Sequence, residues 1–108
     1  MTYVIDIDGT ICESVSDLNG DYRNMKPLHT RIEKINELYD YGHKIVYFTA
    51  RGMGRHNNNQ SRAIQDFYSI TESQLESWGA KYHQLMLGKP AGDVYIDDKG
   101  VKDIDFFK

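Results

Sequence analysis

The chain has a single cysteine among its 108 residues, Cys12, so no disulfide can form within it. No stretch approaches the roughly 20 apolar residues that a membrane-spanning helix requires. The first residues run into Asp6 without the basic start and apolar core of a signal peptide. Internal repeats and low-complexity tracts are lacking as well. We therefore expect a cytoplasmic protein that does not act on a membrane.

The chain also lacks an excess of positive charge. Lys and Arg together number 13 against 16 Asp and Glu, which gives a formal net charge of −3. Because a protein that binds a nucleic-acid backbone normally presents a basic face, this balance argues against a nucleic-acid partner. A small anionic substrate, held by two or three local cations, is compatible with it. With 40% hydrophobic residues, the composition is typical of one globular domain covering residues 1–108.

Short apolar runs separated by helical patterns predict an α/β domain. Runs rich in β-branched and aromatic residues predict four strands, at residues 3–5, 45–48, 85–87 and 94–96. Helical periodicity predicts one helix over about 28–41, between Pro27 and Gly42, and a second over about 61–77. The string Thr71-Glu72-Ser73-Gln74 reads as a capping box that divides the second helix. Such alternation predicts a mostly parallel sheet.

Polar residues follow the predicted strands at the point where each one ends. In parallel sheets, ligands bind beyond the carboxyl ends of the strands. Each of four polar residues lies at or just after the end of a different apolar run: Asp6, Thr49, Lys89 and Asp97. We therefore expect their side chains to meet at one edge of the sheet.

The string Asp6-Ile7-Asp8-Gly9-Thr10 is the first candidate site. Two carboxylates two residues apart on an extended backbone point the same way and can reach one cation or one phosphate. Gly9 allows a sharp turn as the strand ends. An EF-hand calcium loop would need an acid at its fifth position and Glu at its twelfth, where Thr10 and Asp17 stand here. An ordinary polar turn remains the alternative.

Three further strings supply groups that can bind phosphate or metal. Thr49 offers a hydroxyl to a phosphate oxygen, and Arg51 offers a two-pronged contact to an oxyanion. Lys89 can neutralise charge on a phosphate and on a neighbouring carboxylate. Asp97 and Asp98, directly after an apolar run, are costly unless a cation lies nearby. Taken singly, a threonine at such a position is more often a cap or turn residue, and an arginine or lysine is more often a surface charge. The alternative for the acid pair is a solvated turn.

Taken in order, the strings resemble the four motifs of the haloacid dehalogenase superfamily. The order is strand-Asp-x-Asp-Gly-Thr, strand-Thr, lysine, strand-Asp-Asp, and it extends from Tyr3 to Asp98. The strings D-I-D-G-T-I-C, F-T-A-R and D-V-Y-I-D-D-K are particularly similar to those of its small capsule-biosynthesis phosphatases. The resemblance implies a Rossmann-like three-layer α/β sandwich with a mostly parallel sheet. Because the segments between motifs are short, we expect no cap domain.

The resemblance also implies a magnesium-dependent phosphatase with an aspartyl-phosphate intermediate. Asp6 would be the nucleophile, and Asp8 would protonate the leaving oxygen and then activate water. Thr49 and Lys89 would bind phosphate oxygens, and Asp98 would position Lys89 or a magnesium-bound water. The Mg²⁺ ligands would be Asp6, the backbone carbonyl of Asp8, and Asp97; whether Asp97 or Asp98 is the direct ligand stays open.

Substrate contacts are expected from the loops that surround these groups. The candidates for substrate binding are Gly9, Thr10, Ala50, Arg51, Arg55 and His56. The resemblance implies a small sugar or polyol phosphate used in capsule polysaccharide biosynthesis. The short segments between motifs imply an open site, and the resemblance is compatible with a homo-oligomer; whether a neighbouring subunit covers that site stays open.

Three alternatives are a phosphatase acting on nucleic-acid ends, a phospho-acceptor receiver module and an inactive regulatory protein of the same fold. The net charge argues against the first. Receivers carry their adjacent acid pair early, whereas here the pair Asp97-Asp98 comes last. The presence of both Asp6 and Asp8 argues against an inactive protein.

Overall fold

Three short strands form one parallel sheet. The computed structural model describes residues 1–14, 22–54 and 56–108. In these residues the strands are β1 (Thr2–Ile5), β2 (Lys44–Thr49) and β3 (Gln84–Leu87). β2 lies in the middle and pairs in parallel with both neighbours. The carboxyl ends of all three strands therefore lie at the same edge of the sheet.

Two long helices connect the strands and lie where the sequence predicts helices, whereas a third, short helix is not predicted. α1 (His29–Asp40) lies between β1 and β2, α2 (Gln60–Ser77) lies between β2 and β3, and a short α3 (Asp103–Phe106) follows near the C-terminus. The side chain of Asn59 accepts a hydrogen bond from the backbone N–H of Arg62 and so caps the start of α2. In the described part of the chain, no helix combines the length and the apolar character needed to cross a membrane.

One hydrophobic core joins a face of the sheet to both long helices. Its buried members include residues of the three strands and of α1 and α2: Ile5, Ile45, Tyr47, Leu85, Leu87, Ile32, Ile35, Phe67 and Leu75. Because side chains alternate along a strand, Val4 and Met86 point to the opposite face, where they are 63% and 40% exposed. The α/β class and the parallel sheet are confirmed, and the described residues contain no cap domain.

The predicted division of the second helix is wrong. α2 runs without a break from Gln60 to Ser77. The hydroxyl of Thr71 donates a hydrogen bond to the backbone carbonyl of Phe67, one turn earlier, at 2.7 Å. A threonine that bonds back in this way is compatible with a helix interior, so the capping-box pattern does not start a new helix.

The predicted fourth strand does not form. Residues 94–96 have no strand structure, and Val94 and Ile96 are 74% and 91% exposed. Local contacts hold the segment instead, because the hydroxyl of Tyr95 donates to the carbonyl of Pro90 at 2.6 Å and accepts from the backbone N–H of Gly92 at 3.0 Å. These contacts tie the apolar run to its own preceding turn rather than to the sheet.

Candidate active site

A tight turn after β1 fixes the two carboxylates of the first motif. The backbone N–H groups of Thr10 and Ile11 donate to the carbonyl of Ile7 at 3.0 and 2.9 Å. Gly9 occupies this turn with a φ of 79°, a conformation that glycine adopts without steric cost. Ile7 is fully buried, which anchors the turn. Asp6 and Asp8 on either side of it are therefore held at the edge of the sheet.

The structure brings Asp6 and Lys89 together. The Nζ atom of Lys89 lies 3.7 Å from Oδ1 of Asp6, and the two side chains are 21% and 35% exposed. The backbone N–H of Lys89 donates to the carbonyl of Thr49 at 3.2 Å, so the backbone of Lys89 lies beside the end of β2. Its ammonium also lies 4.4 Å from the ring centroid of Tyr95. The predicted meeting of side chains from different strand ends therefore occurs for this pair.

Burial raises the pKa of Asp6 above its usual value. The neighbouring Asp8 raises it further, whereas Lys89 and the backbone N–H of Ile7 lower it. Burial is the largest of these influences because it penalises the charged form of the carboxyl group. A carboxyl group with a perturbed pKa, in contact with a lysine at a strand end, is the kind of group that enzymes use as a reactant.

Asp8 is bound by a buried arginine. The Nε atom of Arg51 donates to both carboxylate oxygens of Asp8 at 3.2 and 3.0 Å, and Nη2 donates to Oδ1 at 2.9 Å. The Nη1 atom donates to Oγ1 of Thr71 at 3.2 Å and to Oε1 of Gln74 at 2.6 Å. The guanidinium also lies 4.7 Å from the ring centroid of Tyr22. The carboxyl group of Asp8 is therefore the acidic partner of this guanidinium.

The predicted contact between Arg51 and a substrate oxyanion is not what this arrangement offers. Arg51 is 1% exposed, and the contacts of its guanidinium run to Asp8, Thr71 and Gln74 inside the protein. A substrate phosphate would have to displace Asp8 to reach it. The structure pairs this cation with Asp8, and a contact of Arg51 with a substrate stays a prediction.

Thr49 and Ala50 shape the turn between β2 and the following loop. Thr49 is 1% exposed, and its hydroxyl accepts a hydrogen bond from the backbone N–H of Arg51 at 3.2 Å. The carbonyl of Ala50 accepts from the backbone N–H of Met53 at 2.9 Å. Both residues thus stand where the chain folds back toward α2, next to Lys89 and Arg51. Their contacts to a phosphate stay predictions.

The remaining predicted site residues make other contacts, are exposed, or fall outside the described residues. The Nε2 atom of His56 lies 2.7 Å from Oδ2 of Asp66, so the ring already has a partner on α2. Arg55 falls outside the described residues. Asp97 and Asp98 are exposed, and Oδ1 of Asp97 accepts hydrogen bonds from the backbone N–H groups of Lys99 and Gly100 at 2.7 and 2.5 Å.

A metal centre of three side chains is not assembled in the described ranges. No group of three or more His, Cys, Asp or Glu residues is placed there to hold an ion. Carboxylate and carbonyl oxygens are the donors that Mg²⁺ takes, and Asp6 and Asp8 provide them at the turn. Oδ1 of Asp97 accepts hydrogen bonds within a local turn, and its place among the metal ligands stays a prediction.

Two helical residues of the site escaped the sequence analysis. Thr71 and Gln74 recur with Phe67 and Leu75 at helical spacing, and all four are buried. A polar side chain at a buried position requires a hydrogen-bonding partner inside the protein. Two such positions on one turn of α2 were the available signal that a buried charge faces this helix.

Two solved structures are similar to the chain, whereas no protein-family model and no curated protein matches it. A structural-genomics target from Vibrio cholerae superposes with a TM-score of 0.88 at 29% identity, covering 98% of this chain and 86% of that one. D,D-heptose 1.7-bisphosphate phosphatase from B. bronchiseptica, complexed with magnesium and phosphate, superposes with a TM-score of 0.57 at 12% identity. That match covers 85% of this chain and 51% of the phosphatase. The chain therefore has a haloacid dehalogenase-like fold.

Proposed function

We propose that this protein is a phosphomonoester hydrolase in which Asp6 accepts the phosphoryl group. The observation that carries the proposal is the reachable Asp6 carboxylate with the Lys89 ammonium 3.7 Å away. A carboxylate that attacks an anionic phosphate ester meets charge repulsion, which a cation at this distance offsets. The likeness in fold to a heptose bisphosphate phosphatase supports the same class of reaction.

The reaction would proceed in two steps. An oxygen of Asp6 attacks phosphorus, the bond from phosphorus to the ester oxygen breaks, and Asp8 gives its proton to the departing oxygen. Water then attacks phosphorus of the aspartyl-phosphate, and Asp8 takes a proton from that water. The bond between phosphorus and the Asp6 oxygen breaks, so inorganic phosphate leaves and the Asp6 carboxylate is restored. One residue serves as acid and then as base, a contribution of typically about 10²- to 10⁴-fold in rate. The ammonium of Lys89 would offset the negative charge on the phosphate oxygens.

Magnesium dependence is part of the proposal. It is supported by the oxygen donors of Asp6 and Asp8 and by the magnesium in the similar phosphatase. The Asp6 carboxylate and the Asp8 backbone carbonyl would hold the ion, with Asp97 as the third ligand that the order of motifs suggests. When bound, the ion would neutralise negative charge on the phosphate. The roles of Thr49 and Asp98 belong to the same proposal.

The proposed substrate is a small sugar or polyol phosphate, as the likeness of the motifs to capsule-biosynthesis phosphatases suggests. The net charge of −3 supports a small substrate over a nucleic-acid end. A homo-oligomer whose subunits cover one another's open sites, acting in the cytoplasm, completes the proposal.

A panel of phosphomonoesters tests it. The panel contains p-nitrophenyl phosphate, sugar phosphates, glycerol phosphates and an oligonucleotide with a terminal phosphate, each assayed with Mg²⁺ for release of inorganic phosphate. We expect release that stops on addition of EDTA and in Asp6→Asn. Asp40→Asn is the matched control, because Asp40 is an exposed carboxylate that also pairs with a lysine. Full activity in Asp6→Asn, or no release from any ester, would contradict the proposal.

A further inference from the structure

We propose that Arg51 is a positioning residue that sets the direction of the Asp8 carboxylate, and that α2 sets the place of Arg51 through Thr71 and Gln74. Asp8 moves a proton only if the proposed function holds, so the inference rests on that function. It adds two helical residues outside the motifs, Thr71 and Gln74, on which proton transfer depends through Arg51.

The contact between Arg51 and Asp8 removes rotational freedom from the carboxylate. Hydrogen bonds from Nε and Nη2 of Arg51 reach both oxygens of Asp8 at 2.9 to 3.2 Å. A planar fork that grips a carboxylate in this way fixes its orientation as well as its position. The Asp8 side chain is still 25% exposed, so a substrate can approach the carboxylate while the arginine holds it.

The arginine is in turn held by groups that are themselves bonded. Its Nη1 atom donates to Thr71 and Gln74. Thr71 donates to the carbonyl of Phe67 at 2.7 Å, and the side-chain amide of Gln74 donates to the carbonyl of Tyr22. The ring of Tyr22 lies against the guanidinium. The direction of Asp8 therefore depends on contacts that end at the carbonyl of Phe67 on α2 and at the carbonyl of Tyr22.

The rival explanation is a purely structural ion pair that ties the turn after β1 to α2. Weakening such a pair would lower stability and would slow all substrates alike. A positioning role predicts a different result, because proton transfer to the leaving oxygen matters most when that oxygen is strongly basic. An alkyl phosphate leaves as a basic alkoxide and needs the proton, whereas p-nitrophenolate leaves readily without one.

The test compares the two kinds of ester in variants of the clamp, by which we mean Arg51 together with Thr71 and Gln74. The variants are Arg51→Lys, Thr71→Val and Gln74→Met, and the measured quantity is kcat/KM, which reports the steps up to formation of the aspartyl-phosphate. Each variant's thermal midpoint is measured alongside. Arg62→Lys is the control, because Arg62 is an exposed arginine on α2 whose backbone N–H alone is bonded to the cap residue Asn59.

We expect kcat/KM for glycerol phosphate to fall about 10-fold or more beyond the fall for p-nitrophenyl phosphate in Arg51→Lys, since small misplacements of a catalytic group are costly. Gln74→Met and Thr71→Val should shift the ratio of kcat/KM for the two esters in the same direction by a smaller factor. These two variants test the positioning role if Arg51→Lys does not fold. An equal fall for both esters, or none, overturns the positioning role. Inactivity of the unaltered protein on both esters overturns the proposed function instead.

Discussion

Lys89 and Asp6, which follow different strands, form a contact of 3.7 Å at the edge of the sheet. The lysine lowers the pKa of Asp6 while burial raises it, and burial prevails. The ionised fraction of the proposed nucleophile therefore depends on a cation delivered from the far side of β2.

Removal of that cation should raise the pKa of Asp6 further. In the metal-free protein, a carbon-13 carboxyl titration should place the pKa of Asp6 above the usual 3.8, and Lys89→Met should move it higher still, because Lys89 lowers it. Lys81→Met is the control, since Lys81 pairs with the distant, exposed Asp40. The prediction fails if the titration of Asp6 is the same with and without Lys89. Phosphate release by Lys89→Met should also fall by about 10²-fold, the typical effect of losing one group that stabilises the transition-state charge.

Neutral substitutions of the two motif carboxylates should change stability in opposite directions. The folded protein holds the Asp6 proton more tightly than the unfolded chain, since its pKa is raised. This carboxyl group therefore stabilises the fold at low pH, and that contribution is lost as the pH rises through the folded pKa. Asp6→Asn should accordingly become more stable than the unaltered metal-free protein as the pH rises from about 3 to about 7. Urea denaturation at several pH values measures this difference.

Asp8→Asn should instead destabilise the protein at neutral pH. It leaves the guanidinium of Arg51, which is 1% exposed, without its carboxyl partner. We expect a loss of about 1–3 kcal/mol, below the cost for a fully buried pair because solvent reaches Asp8. Equal stability of Asp8→Asn and the unaltered protein at neutral pH would show that the guanidinium does not need this partner.

Gly52 should tolerate substitution much less well than Gly42. Both have a positive φ, 78° and 97°, so alanine strains the backbone at either position by about 1 kcal/mol. A Cβ atom at Gly52 would also lie 2.5 Å from the ring of Phe67, whereas one at Gly42 would meet nothing within 4 Å. We expect Gly52→Ala to lose about 1–3 kcal/mol more than Gly42→Ala, the usual cost of overpacking. Urea denaturation of both variants measures this difference in the free energy of unfolding. Equal losses of stability would show that the clash with Phe67 does not occur.

Periodicity predicted those parts of the fold that local sequence determines. The long helices and three strands bury side chains at regular spacing, so their patterns in the sequence match the structure. The run at residues 94–96 is as short and as apolar as the runs at 3–5 and 85–87, yet it does not join the sheet. Contacts of Tyr95 with Pro90 and Gly92 decide its conformation, and no pattern of apolar residues reveals them.

The site was predictable in its residue types more than in its pairings. Motif order brought Asp6 and Lys89 together correctly, because both follow strand ends at one edge. Arg51 follows the same edge, yet its side chain turns inward to Thr71 and Gln74. The direction of a long side chain depends on which buried acceptors lie opposite, and those belong to a helix that comes later in the sequence.

The buried guanidinium has a consequence for how this site can change over time. Hydrogen bonds link the side chains of four residues: Asp8, Arg51, Thr71 and Gln74. A replacement at any one of these positions therefore changes which residues are tolerated at the other three. Selection should therefore act on them as a unit, and lineages that lose the arginine should lose the polar side chains on α2 as well. Substitutions at Thr71 and Gln74 would then identify related proteins in which an arginine no longer holds Asp8.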